Sequence, residues 1–137
     1  MKIRLIDHGV EPEMRPVRAH DQDAGLDVFS PRTLYIPDGD TASIGLGFGI
    51  DLPAGFMGLI YARSSMIRDG LACEHSPIDA GYTGEIHAII TNQSGGAIRI
   101  ERGQRIGQLV IMPIVYAELV DEIDDTRGTG AFGSTGA

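Results

Sequence analysis

The sequence predicts an all-β fold, an antiparallel sandwich or barrel in a single domain, and three observations predict it. Short segments alternate apolar and polar residues with a period of two. Turn chemistry recurs between them. Nineteen glycines, against no tryptophan, four tyrosines and four phenylalanines, suit many tight reversals rather than long helices. Frequent turns between short extended pieces also argue against βαβ units.

In chain order, KIRLI (2–6) alternates first. DAGLDVFS (23–30) reads as a turn into a strand, with the Asp27 carboxylate capping backbone amides. ASIGLGFGI (42–50) places Ile44, Leu46, Phe48 and Ile50 on one face of an extended segment, and FMGLIYA (56–62) follows the same pattern. SSMIRDGLA (64–72) is the one helical piece, with Ser64 or Ser65 as its cap and Gly70 as its stop. EIHAIITN (85–92), AIRIE (97–101) and RIGQLVIMPIVYAELV (105–120) read as strands again. PDGD, DLPAG, DAGYTG and NQSGG supply the intervening turns. From Asp121 the chain becomes acidic and then glycine-rich, ending in RGTGAFGSTGA, which reads as a mobile tail leaving the core.

The totals bound the function. A length of 137 residues fits one domain. A net charge of -8 without clustered Lys and Arg excludes a nucleic-acid groove, although a few arginines or one metal ion can invert the field locally for a small phosphorylated ligand. No stretch approaches the roughly 18 apolar residues of a membrane span. The start MKIRLIDHG lacks the apolar run of a signal peptide, and a lone Cys73 forms no internal disulfide, so the expected compartment is the reducing cytoplasm.

Several segments could carry chemistry. In YARSSMIRDG, an arginine and two hydroxyls precede a helix start; this is either an anion site or a simple cap. In SPIDAGYTGEI (76–86), Asp79 is a turn former or a general base within reach of a water, and Tyr82 a half-buried ring or a flat wall against a ligand. Gln108 is polar among Ile106, Leu109 and Val110, so its amide is satisfied internally or faces a ligand at an interface. The tail is disordered, or it wraps a polyphosphate with bare backbone amides and the fork of Arg127. It is not a Walker A loop, because no Gly-Lys-Ser/Thr follows its glycines.

Taken in order, DAGLD, ARSS, IDAGYTGEI, RGQRIGQLV and RGTGAFGSTG resemble the five motifs of the trimeric dUTP pyrophosphatases, the dUTPases, from about residue 23 to the last. The resemblance implies a β jelly-roll over residues 1–120, a homotrimer, and a flexible C-terminal arm, 121–137, that completes a neighbouring active site. It implies Mg²⁺-dependent hydrolysis of dUTP to dUMP and pyrophosphate, with Asp79 deprotonating the water that attacks the α-phosphorus. Tyr82 would pack on the deoxyribose, and Arg63, Ser64, Ser65 and a neighbour's Gln108 would hold the phosphates. Asp27 would reach the metal through a water while the phosphates bind it directly. Arg127 would pair with the γ-phosphate and Phe132 stack on the uracil, with Gly133, Ser134 and Thr135 completing the arm's contacts.

Two positions depart from the family pattern. Ala131 stands where glycine is commoner, and GLACEHSPID is shorter than the usual hairpin, with Cys73 about where many members carry asparagine. Uracil recognition then falls on backbone groups of residues 73–78, Cys73 and Ile78 included. The related dCTP deaminase branch resembles a pattern with a catalytic glutamate where this chain has Ile89, which cannot move protons. A catalytically silent nucleotide-binding trimer would have no reason to keep Asp79, Tyr82, Arg127 and Phe132 together.

Overall fold

Period-two burial builds this structure, a computed structural model that describes residues 1–123. Its strands are β1 (Arg4–Asp7), β2 (Leu26–Phe29), β3 (Leu34–Ile36), β4 (Thr41–Gly45), β5 (Phe48–Asp51), β6 (Phe56–Tyr61), β7 (Leu71–Glu74), β8 (His87–Asn92), β9 (Ile98–Ile100) and β10 (Arg105–Pro113); one short helix, α1 (Ser64–Arg68), separates β6 from β7. All strand pairs are antiparallel, in the orders β1-β5, β2-β10-β6, β3-β9 and β4-β8-β7. Strands far apart in sequence lie side by side, as in a jelly-roll and not in a simple meander.

The core follows from alternation. In β8, Ala88, Ile90 and Asn92 are buried while His87 is exposed and Ile89 and Thr91 are half-buried. Val28, Ile36, Ile44, Phe48, Ile90, Ile100 and Ile106 join one buried cluster across the sheets. Each such aliphatic or aromatic side chain contributes about 1.5–3 kcal/mol on leaving water. The one amide among them is fully used: Asn92 Nδ2 donates to the carbonyls of Ile36 and Gly96 at 2.8 Å each, and its Oδ1 accepts from Ser94 N–H at 2.9 Å. Burial without those three bonds would carry a penalty of about 1–3 kcal/mol for each lost partner.

Three elements differ from the sequence expectation, each for a local reason. The segment 42–50 is not one strand, because Gly47 takes a left-handed φ of 78° and interrupts the ladder between β4 and β5, where Leu46 and Phe48 both bond the Ile86 backbone. Helix α1 is not capped by a serine: Arg63 occupies the N-cap position with extended backbone and no side-chain bond, while Gly70, at φ 83°, ends the turn as expected. Leu71 and Ala72 therefore belong to β7, beyond the helix. The last strand stops at Pro113, well before residue 120, since the proline nitrogen has no hydrogen to donate to a ladder.

Candidate active site

One flank of the molecule gathers charge through strand register. Asp27 of β2 stands opposite Gln108 of β10, which in turn stands opposite Tyr61 at the end of β6. Arg63 follows two residues after Tyr61, at the entrance to α1. The Asp27 carboxylate, only 18% exposed, accepts a hydrogen bond from Arg105 Nη1 at 3.1 Å through Oδ2, and Arg63 Nε lies 3.8 Å from its Oδ1. A register shift between Arg105 and Gly107 re-aims Arg105 at that carboxylate.

Two guanidiniums share one carboxylate here, so this patch is locally positive on a protein of net charge -8. A cavity of about 480 Å³ opens beside it, lined among others by Arg63, Ser65, Gln104 and Arg105. Ser64 is exposed at the first turn of α1, and Gln108 is half-buried. Guanidinium forks, hydroxyls and an amide are the donors that phosphate oxygens require.

A second flank is built from the connection between β7 and β8. Ile78 exchanges two backbone hydrogen bonds with Gly58 of β6, at 2.7 and 3.0 Å, and this bridge sets the next residue, Asp79, at an exposed rim. The chain then turns, Tyr82 N–H donating to the Asp79 carbonyl at 3.1 Å. A cavity of about 380 Å³ lies under this loop, lined by Ile78, Asp79, Tyr82, Ile89 and neighbouring polar residues. Ile89 contributes an apolar wall with no group to transfer a proton.

Cys73 does not offer its side chain to that cavity. Its thiol is 7% exposed and points to the Ile60 carbonyl at 3.6 Å, and burial pushes its pKa up to about 11. Any recognition at this position therefore belongs to the backbone. Arg127, Phe132, Gly133, Ser134 and Thr135 lie outside the described residues. Among the described residues, no three His, Cys, Asp or Glu side chains converge to hold a metal ion.

The structure thus brings Asp27, Arg63 and Gln108 together, and separately Ile78, Asp79 and Tyr82. The two cavities share no lining residue. Sequence reasoning had not singled out Arg105 and Glu85, although both lie within quoted motifs; the arginine next to a strand bulge and the carboxylate closing the tyrosine loop were their only signals.

A cationic, hydroxyl-bearing patch on one flank and a cavity beside a carboxylate on the other fit a class: jelly-roll proteins that handle phosphorylated ligands. Comparison narrows it. The dUTPase family model matches residues 13–136, and the chain belongs to the dUTPase family. It is similar to the deoxyuridine 5'-triphosphate nucleotidohydrolase of Rhodococcus erythropolis, 41% identical over 128 residues that cover 88% of this chain and 78% of the relative. It is also similar to that of Crocosphaera subtropica, 37% identical over 147 residues with 99% of each chain covered. Among solved structures, a variant dUTPase of Staphylococcus bacteriophage 80alpha with dUpNHpp superposes with a TM-score of 0.79 at 31% identity, covering 99% of each chain. A variant dUTPase from phage phi11 of S. aureus, in which the coordination of a structural Mg(II) ion is described, superposes with a TM-score of 0.80 at 26% identity, covering 93% of this chain and 99% of that one.

Proposed function

We propose that the chain hydrolyses dUTP to dUMP and pyrophosphate, and that it does so in sites completed between copies of itself. Membership of the dUTPase family supplies the reaction. The observation that supports the assembly is the separation of the two half-sites: the base-and-sugar cavity beside Asp79 and the anion patch around Arg63 share no lining residue. In a homotrimer, one protomer offers Ile78, Asp79 and Tyr82, and a second offers Arg63, Ser64, Ser65 and Gln108. The 121–137 arm of the third supplies Arg127 and Phe132, with Gly133, Ser134 and Thr135.

In this reading the Asp79 carboxylate accepts a proton from water as the water oxygen bonds to the α-phosphorus. The bond from that phosphorus to the bridging oxygen breaks, and pyrophosphate departs with the electron pair while dUMP remains. Arg63 and the serine hydroxyls neutralise and orient the leaving phosphates. Tyr82 forms the wall under the deoxyribose, and backbone groups of residues 73–78 face the uracil.

Among the described residues no three-ligand cluster offers magnesium a cage. The Asp27 carboxylate, beside Arg63 and Arg105, does fit an ion held mainly by the substrate and touched by the protein through a water. When bound, the ion supplies charge neutralisation between phosphate oxygens. No described helix is long and apolar enough to cross a membrane, and the proposed setting is the cytoplasm.

A pyrophosphate-release assay over dUTP, dTTP, dCTP and UTP tests the reading, with Asp79→Asn as control. Turnover of dUTP alone, reduced by about three to four orders of magnitude in the variant, is the expected result. Equal turnover of dTTP sinks uracil selectivity, ammonia from dCTP revives the deaminase, and an unaffected variant refutes the assigned base.

A further inference from the structure

The loop that carries Asp79 and Tyr82 is anchored firmly at its ends and sparsely between them. Ile78 is bridged to Gly58 at one end, and at the other Ile86 N–H donates to the Phe48 carbonyl of β5 at 2.9 Å. Inside, the loop bonds to itself: Tyr82 N–H reaches the Asp79 carbonyl at 3.1 Å, and the Tyr82 hydroxyl donates to the Glu85 carbonyl at 3.0 Å. Among the described residues, a single hydrogen bond reaches residues 79–84 from outside the loop, and it comes from the N-terminal segment. His8 Nε2 lies 2.8 Å from the Thr83 carbonyl oxygen. A carbonyl only accepts, so Nε2 carries the hydrogen.

Contact sets how closely the loop can approach the sheet. A Cβ on Gly49 of β5 would stand 2.5 Å from the Gly84 carbonyl oxygen and 2.8 Å from that of Thr83, so both carbonyls lie directly over the strand backbone. One layer higher, a Cβ on Gly84 would stand 2.5 Å from the Tyr82 hydroxyl oxygen, so the ring lies over the loop in turn. Repulsion at such distances stops the loop from sinking and does nothing to stop it from lifting. Lifting is opposed by attraction, and His8 supplies the directed part of it. The imidazole pulls from a fixed base: His8 N–H donates to the Gly47 carbonyl at 2.8 Å. Beside it, Asp7 Oδ1 accepts from Gly9 and Val10 N–H at 2.8 and 3.0 Å, which holds the turn on which the ring stands.

We propose that His8 is a positioning residue for the hydrolysis: by holding the Thr83 carbonyl down on β5, it keeps the Asp79 carboxylate at the height from which it takes a proton from water. The inference rests on the reading of Asp79 as the base. Among the described residues, Asp79 enters the loop's hydrogen bonds only through its carbonyl, so its carboxylate goes where the loop goes. His8 lies outside all five motifs and acts through the loop alone.

Steady-state kcat and KM on dUTP in His8→Ala, His8→Gln, Asp79→Asn and the double variant of His8→Ala with Asp79→Asn test it. In His8→Ala, kcat falls about tenfold, the worth of one hydrogen bond, while KM changes by less than about threefold. His8→Gln, whose side-chain N–H reaches the same carbonyl, recovers most of the loss. In the Asp79→Asn background no base is left to place, so His8→Ala lowers the residual kcat by less than about twofold, where general loosening would lower it about tenfold again. Wild-type kcat in His8→Ala, an equal loss in both backgrounds, or a His8→Gln variant as slow as His8→Ala overturns the inference, while the base stands on the loss in Asp79→Asn alone. An unaffected Asp79→Asn removes the base, and the inference with it.

Discussion

The two flanks are organised on different principles. Around Asp27, the side chains sit on or beside paired strands, and they meet through charge: a carboxylate between two guanidiniums, at 3.1 and 3.8 Å. Around Tyr82, the functional groups hang on a loop that is held by close backbone contact, with glycine at each level of the stack. Charge acts over several ångströms and tolerates small displacements, whereas repulsion at contact does not. The flank that would read the shape of a nucleoside is therefore the one made stiff by the absence of side chains. The flank that would hold flexible phosphates is made of long, adjustable ones.

The sharpest way to break this contrast is to add one methyl group to the contact flank. Gly49→Ala forces the Thr83 and Gly84 carbonyls away from β5. Overpacking of this kind costs about 1–3 kcal/mol, read as a lowered Tm, and misplacing Tyr82 and Asp79 by about 1 Å lowers kcat/KM on dUTP by roughly 100-fold. If activity survives at the wild-type level, the stack does not define the site. On the charge flank a full charge is removed for a smaller effect. In Asp27→Asn, Arg63 and Arg105 lose their shared anion, and KM for dUTP rises about tenfold, one lost charge-assisted contact, with kcat changed less. A loss in kcat/KM larger than that in Gly49→Ala reverses the ranking of the two flanks.

The smallest effect concerns the root of the contact flank, where β7 is anchored in the core by Cys73. The folded thiol, with its pKa pushed up to about 11, stays protonated where the exposed thiol of the unfolded chain, near 9.0, has ionised. The native state then holds the extra proton, so stability falls as pH rises from about 9 toward 11. At pH 10 the loss amounts to about 1 kcal/mol. Chemical denaturation of wild type and Cys73→Ala over this range measures it: the variant lacks this part of the slope, and parallel slopes would mean that the thiol is open to solvent.

How much of this was legible in the sequence depends on the distance over which each feature is decided. Strands with strong local alternation, such as 56–62 and 85–92, emerge close to their expected places as β6 and β8. Strand β2 read only as the far side of a strand-entry turn, because its partner β10 lies about 80 residues further on and nothing local marks the pairing of Asp27 with Gln108. Strand β7 was not read at all, since Leu71 and Ala72 were quoted with the helical piece although the left-handed Gly70 stops the helix before them. Motif order singled out Asp79 and Tyr82 as candidate site residues. It could not show that the ring lies over Gly84 and Gly49, since close approach is a property of three backbone segments at once.

Two cavities that share no wall have a consequence outside structure altogether. If each working cleft is shared between chains, activity belongs to an encounter and not to a molecule. A cell that makes too little of this protein would then lose more than its share of turnover, because dilution takes the clefts apart before any chain unfolds.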